Sequence, residues 1–128
     1  MKSLGKHLIV ELYGCSYEQI NDLAQVEKTL IEAVQLSKAT IIQPVFHQFS
    51  PHGVSGVVII AESHFSIHTW PEYGYAAVDL FTCGTSVDTW KAFDLVKTAF
   101  GATRVDVKDM PRGILSQAEL ARAADQAA

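Results

Sequence analysis

The chain is poor in several things that whole classes of function require. Positive charge is scarce: 10 Lys and Arg stand against 14 Asp and Glu, a net charge of −4, with no basic cluster anywhere. A nucleic-acid partner is thereby excluded. No apolar run approaches the roughly 20 residues that a membrane helix needs, and the N-terminus has no apolar core of a secretory signal, so a membrane partner is not expected either. Cysteine is limited to Cys15 and Cys83, far apart and outside any CxxC spacing. Free thiols in a reducing cytoplasm fit that better than a disulfide, and Cys15 reads as a small buried hydrophobe. There is no glycine-rich phosphate loop and no lysine motif suited to a pyridoxal phosphate Schiff base.

What is present is the composition of an ordinary globule, 48% hydrophobic and 19% charged, in 128 residues that suit a single domain spanning 1–128. His7 to Tyr13 alternates as a strand does, ending at Gly14. A helix is expected from about Tyr17 to Lys38, with Asn21-Asp22 able to break its first turn. Thr40 to Phe49 is β-branched and aromatic, and Pro44 within it suggests an edge or a bulge. Val57 to Ala61, Phe65 to Trp70 and Tyr75 to Cys83 read as further strands separated by turns. Asp88 can cap a second helix that stops at Gly101, and Thr103 to Lys108 offers a last short strand. The alanine-rich tail beyond Gly113 carries a Ser116-x-x-Glu119 capping box, which allows a marginal surface helix. Strands joined by turns, with two main helices to cover one face, predict an α+β two-layer sandwich on a mainly antiparallel sheet.

The densest chemistry lies in Glu62-Ser63-His64-Phe65-Ser66-Ile67-His68, directly after the apolar Val57-Val58-Ile59-Ile60-Ala61. If Pro71 to Gly74 is a four-residue hairpin loop, Trp70 pairs with Tyr75. Continuing that register sets Thr82 opposite Ser63 and Cys83 opposite Glu62. His64 and His68 have the spacing of a helical metal pair, but the segment reads as a strand and no third ligand is adjacent, so no metal is expected and His64 reads as a structural hydrogen-bonding residue. Ser63 and His68 are five apart, which on a regular strand puts them on opposite faces. Direct contact between them requires a kink or bulge. Taken alone, Ser55 reads as a turn serine, Phe49 as core, Glu72 as a turn carboxylate and Trp70 as packing.

With its flanking Gly-Val-Ser-Gly-Val-Val and Val-Asp-Leu-Phe-Thr-Cys-Gly, this block resembles the processing site of the bacterial-type S-adenosylmethionine decarboxylase proenzymes, and the resemblance runs from about Gly5 to Arg112. It implies self-cleavage between Glu62 and Ser63 into a β chain, 1–62, and an α chain, 63–128, with Ser63 converted to a pyruvoyl cofactor that forms a Schiff base with the substrate. It further implies His68 as the proton acceptor of processing, Ser55 as its assistant, and Cys83 as the proton donor of decarboxylation. Phe49 would stack on the adenine of S-adenosylmethionine and Glu72 would hold its ribose, for polyamine synthesis by a homodimer of cleaved protomers. The same machinery acting on ornithine or arginine, and a non-catalytic domain of the same fold, remain the alternatives. A serine or cysteine hydrolase lacks the nucleophile-elbow motif around either Ser63 or Cys83.

Overall fold

The computed structural model describes residues 2–127. Strands β1 (Lys2–Tyr13), β2 (Ile41–Gln48), β3 (Val54–Ile60), β4 (Ser63–Trp70), β5 (Tyr75–Cys83) and β6 (Arg104–Leu115) form one sheet in the order β2-β3-β4-β5-β1-β6. Every neighbouring pair is antiparallel. Helices α1 (Tyr17–Asn21), α2 (Leu23–Leu36) and α3 (Thr89–Ala99) are followed by α4 (Gln117–Ala127) at the C-terminal end. This is the expected α+β sandwich.

One face of the sheet is made by alternate residues. Leu8, Val10 and Leu12 of β1, Val58 and Ile60 of β3, Phe65 and Ile67 of β4, and Val78 and Leu80 of β5 are buried. They meet Val26, Leu30, Ala33 and Val34 of α2 and Phe93 and Val96 of α3 in one core. The period of two on the strands and the 3.6-residue stripe on the helices together force this layering. The intervening strand residues, among them His7, Ser55, His64, His68, Asp79 and Cys83, lie on the other, open face.

Local signals explain the helix ends. Asp22 breaks the first helical segment and caps the second, accepting from the amides of Ala24 and Gln25. Asp88 accepts from Lys91 N at the start of α3. Ser116 and Glu119 exchange the two hydrogen bonds of a capping box at the start of α4. Thr69, buried, ties strand to helix by accepting from Val54 N and donating to Ile20 O, both at 2.8 Å.

Four strands are longer than expected: β1 begins at Lys2 and not at His7, β4 at Ser63 and not at Phe65, and β3 and β6 are extended as well. β6 continues past Lys108 to Leu115 because Pro111 lies on the outermost strand, where its missing N–H costs no ladder bond. β3 starts at Val54 because Gly56 is a strand residue whose absent side chain leaves room for a ring: an added Cβ would sit 2.0 Å from Phe46 Cδ2. Pro44 is on the opposite edge strand, β2, with a register irregularity between Ile41 and Gln43.

Candidate active site

The β3–β4 connection sets up the site. Ile60 pairs with Ser63, so only Ala61 and Glu62 span the turn. Two-residue hairpin turns favour glycine or asparagine, which adopt positive φ cheaply. Neither is present, and the left-handed conformation falls on Ser63 instead, at φ 145°. A serine held there stores on the order of 1–3 kcal/mol of backbone strain.

The turn is nevertheless pinned on both sides. The Glu62 carboxylate accepts from Thr40 N at 3.0 Å and from Thr40 Oγ1 at 3.2 Å. Ala61 N donates to Thr40 O at 2.9 Å, and Cys83 N donates to the Glu62 carbonyl oxygen at 2.8 Å. The carbonyl preceding the strained serine is therefore polarised by an amide aimed at it. Thr82 is paired with Ser63, the register predicted from the hairpin count. The Cys83 side chain is exposed, whereas Cys15 is buried, and both thiols are free. His64 makes a long contact to Ser63 Oγ, 3.5 Å, and stacks on Phe81 with ring centroids 5.7 Å apart, the structural role expected of it.

His68 is elsewhere. β4 pairs with β5 without interruption from Ser63 to Trp70, so the kink that direct contact would require does not exist. At strand rise, the five intervening steps put His68 roughly 16 Å from Ser63. There its Nδ1 lies 2.7 Å from Ser55 Oγ on the neighbouring strand. Phe49, His52, Ser55, His68, Trp70 and Glu72 line a cavity of about 290 Å³. Phe49 presents its ring to that space, half-exposed, and Glu72 lies 3.2 Å from His52 Nε2. The loop carrying Phe49 is fixed by Gly53, which donates to Asn21 Oδ1 and accepts from Phe49 N. Two separate constellations result: the Glu62–Ser63 bond with the Cys83 amide at one end of β4, and Ser55–His68 with Phe49 and Glu72 at the other.

Three groups on β5, β1 and β6 escape a sequence reading. His7 Nε2 and Asp79 Oδ1 are 2.9 Å apart, and Arg112 Nη1 lies 3.0 Å from His7 Nδ1. They are 72 and 105 residues apart in the chain, and only the β5-β1-β6 register brings them together. No three His, Cys, Asp or Glu side chains among the described residues form a metal-holding group. No described helix is long and apolar enough to cross a membrane.

A strained serine behind a polarised carbonyl, at a hairpin of a two-layer α+β fold, is the layout of a proenzyme: a chain equipped to react with its own backbone. Residues 6–113 match the model of one such family, described as S-adenosylmethionine decarboxylase. The chain belongs to that family. It is 55% identical over 113 residues to the S-adenosylmethionine decarboxylase proenzyme of Thermotoga maritima, covering 88% of this chain and 87% of that one. Its identity to the proenzyme of the same name from Carboxydothermus hydrogenoformans is 50% over 115 residues, 90% of this chain and 91% of that one. The crystal structure of the adenosylmethionine decarboxylase from Aquifex aeolicus superimposes with a TM-score of 0.86 at 39% identity, over 91% of this chain and 97% of that chain.

Proposed function

We propose that the protein is a self-processing decarboxylase that converts S-adenosylmethionine to its decarboxylated amine and CO2, and that Glu62–Ser63 is its cleavage point. The observation that carries the processing claim is the positive φ of Ser63 next to a carbonyl that already accepts from Cys83 N. Exchange of the amide for an ester by attack of Ser63 Oγ on the Glu62 carbonyl is uphill. Release of backbone strain favours it, and the Cys83 amide stabilises the oxyanion that develops. A base then removes the Ser63 Cα proton, Glu62 leaves as a carboxylate, and dehydroalanine remains. Addition of water to that group and loss of ammonia leave a pyruvoyl end on residues 63–128, and residues 1–62 become the other chain.

The pyruvoyl ketone supplies the electron sink that carbon–carbon cleavage needs. Cys83, whose amide meets the Glu62 carbonyl and whose thiol is exposed, is assigned to return a proton to the carbon that loses CO2. Phe49 offers a stacking surface to adenine and Glu72 a carboxylate to the ribose hydroxyls.

His68, held by Ser55, is assigned as the processing base, and its distance from Ser63 gives that assignment a condition. With β4 unkinked, Ser63 shares the parity of the core-facing residues and pairs with buried Thr82, whereas His68 lies on the open face, and the two are too far apart to meet within one chain. We therefore assign the complete site to a homodimer in which the Ser63–Cys83 end of one protomer meets the Ser55–His68 end of its partner. Exposed apolar side chains on the helix-free face, Ile59 at 42% and Met110 at 50%, support its burial against a second copy.

Intact mass measurement combined with CO2 release tests the proposal. The wild type should give two fragments, with the second blocked to N-terminal sequencing, and should release CO2 from S-adenosylmethionine. Ser63→Ala should remain a single inactive chain. Release from ornithine or arginine with S-adenosylmethionine inert would overturn the substrate and leave the processing mechanism standing.

A further inference from the structure

We propose that Arg112 receives the α-carboxylate of the substrate and that Asp79, acting through His7, holds its guanidinium in place. The inference rests on the decarboxylase reading above and extends it to residues with no role in the processing motif. Gly5 pairs with both Cys83 and Arg112, and Ile9 pairs with Asp79, so β1 carries His7 between the two charged residues.

The hydrogen bonds run in one direction. A guanidinium only donates, so His7 Nδ1 accepts from Arg112 Nη1, and the ring proton sits on Nε2, where it is donated to Asp79 Oδ1. Ser66 Oγ donates to the other carboxylate oxygen of Asp79 at 3.3 Å. The Asp79 charge thus fixes the tautomer of an imidazole and does not itself reach Arg112. Among the described residues the ion pairs are His7–Asp79 and His52–Glu72, and neither includes Arg112. Its cation is left without a counter-anion in a chain of net charge −4.

That cation is aimed at the reacting end of the site. The guanidinium carbon lies 5.2 Å from the centroid of Phe81, whose ring also stacks on His64, the residue following Ser63. Arg112, Phe81, Cys83 and Gly5 are among the walls of one cavity of about 280 Å³. In an α-amino acid the amine and the carboxylate share a carbon. If the amine condenses at position 63 and the proton comes from Cys83, the carboxylate must lie within the same few ångströms. Arg112 is the cation at hand, and its planar fork suits a carboxylate. The contact exists with the substrate and is absent with the product, which has lost the group, so it favours binding of one and release of the other.

The experiment compares the KM for S-adenosylmethionine with the inhibition constant of its decarboxylated product, in wild type, Arg112→Leu, Arg112→Lys and Asp79→Asn, with processing followed by intact mass. Arg112→Leu should raise KM by about tenfold to a hundredfold and leave the product constant within about twofold. Arg112→Lys, which keeps charge but loses the fork, and Asp79→Asn, which leaves Arg112 present but unheld, should give smaller increases in KM alone. They carry the same comparison should Arg112→Leu fail to mature. KM and the product constant rising together, or KM unchanged in all variants, overturns the role of Arg112. A wild type that does not cleave, or releases no CO2 from S-adenosylmethionine, instead overturns the decarboxylase reading on which the inference stands.

Discussion

Cys83 meets the Glu62–Ser63 bond through its backbone, not its thiol: its amide donates to the Glu62 carbonyl at 2.8 Å while the side chain is exposed on the open face. The two groups of one residue can therefore be separated by mutation. Cys83→Ala keeps the amide and should cleave to the same fragments as wild type. Its CO2 release should fall by about a hundredfold or more, the usual contribution of a positioned general acid. An uncleaved Cys83→Ala chain would move the thiol into the processing step.

The proposed sharing of the site between protomers makes a complementation prediction. His68→Ala alone should stall after the ester stage, leaving a species that hydroxylamine cleaves. Co-expressed with Ser63→Ala, the His68→Ala chain gains a partner that still has His68, and mass spectrometry should show that chain, and only that chain, cut at position 63. Absence of rescue in a verified mixed dimer would mean that His68 does not serve the other protomer's serine.

Phe49 and Glu72 bear on substrate choice. Aromatic stacking on a base is worth roughly 1–3 kcal/mol, so Phe49→Ala should weaken S-adenosylmethionine about five- to a hundredfold. Glu72→Gln should raise KM through weaker hydrogen bonds to the ribose. Titration of processed protein with the nucleoside checks both, and unchanged affinity in both variants would place adenosine elsewhere.

Burial pushes the Cys15 thiol up to about 11, against an ordinary value of 9.0. The folded state therefore holds this proton more tightly than the unfolded chain. That contribution to stability is complete below about pH 9 and is lost as pH rises toward 11. Burial and the hydrogen bond to Glu11 raise Tyr75 in the same direction. The urea midpoint should fall between pH 8 and 10.5, and fall less in Cys15→Ala. At pH 8 iodoacetamide should label Cys83 and spare Cys15 in the native protein, because the thiolate is the reactive form.

The hairpin count that put Thr82 opposite Ser63 held because a four-residue loop admits few registers and both strands alternate cleanly. Asp22 was legible as a helix break for an equally local reason, its capping chemistry. The errors came from residues whose meaning is tertiary. Gly56 resembles a turn glycine until Phe46 is seen lying over it, and Pro111 argues against a strand until β6 is known to be an edge. Direct contact between Ser63 and His68 required a bend, and β4 has none. The positive φ is at Ser63 itself, and the proposed homodimer is what would bring His68 to it. His7, Asp79 and Arg112 carry no local signal at all, since sheet order alone makes them neighbours.

The strand order has a consequence for what a cut at Ser63 would leave behind. Residues 1–62 contribute β1, β2 and β3, and residues 63–128 contribute β4, β5 and β6, yet the sheet runs β2-β3-β4-β5-β1-β6. The two pieces interleave: β1 of the first is flanked on both sides by strands of the second, and β3 stays zipped to β4 through six residue pairs. Parting them means stripping three strand interfaces and opening the common core, so neither piece can diffuse away from a folded protein. Unfolding, by contrast, frees both, and reassembly then depends on their concentration as no single chain's refolding does. Maturation would leave the architecture in place while making its loss hard to reverse.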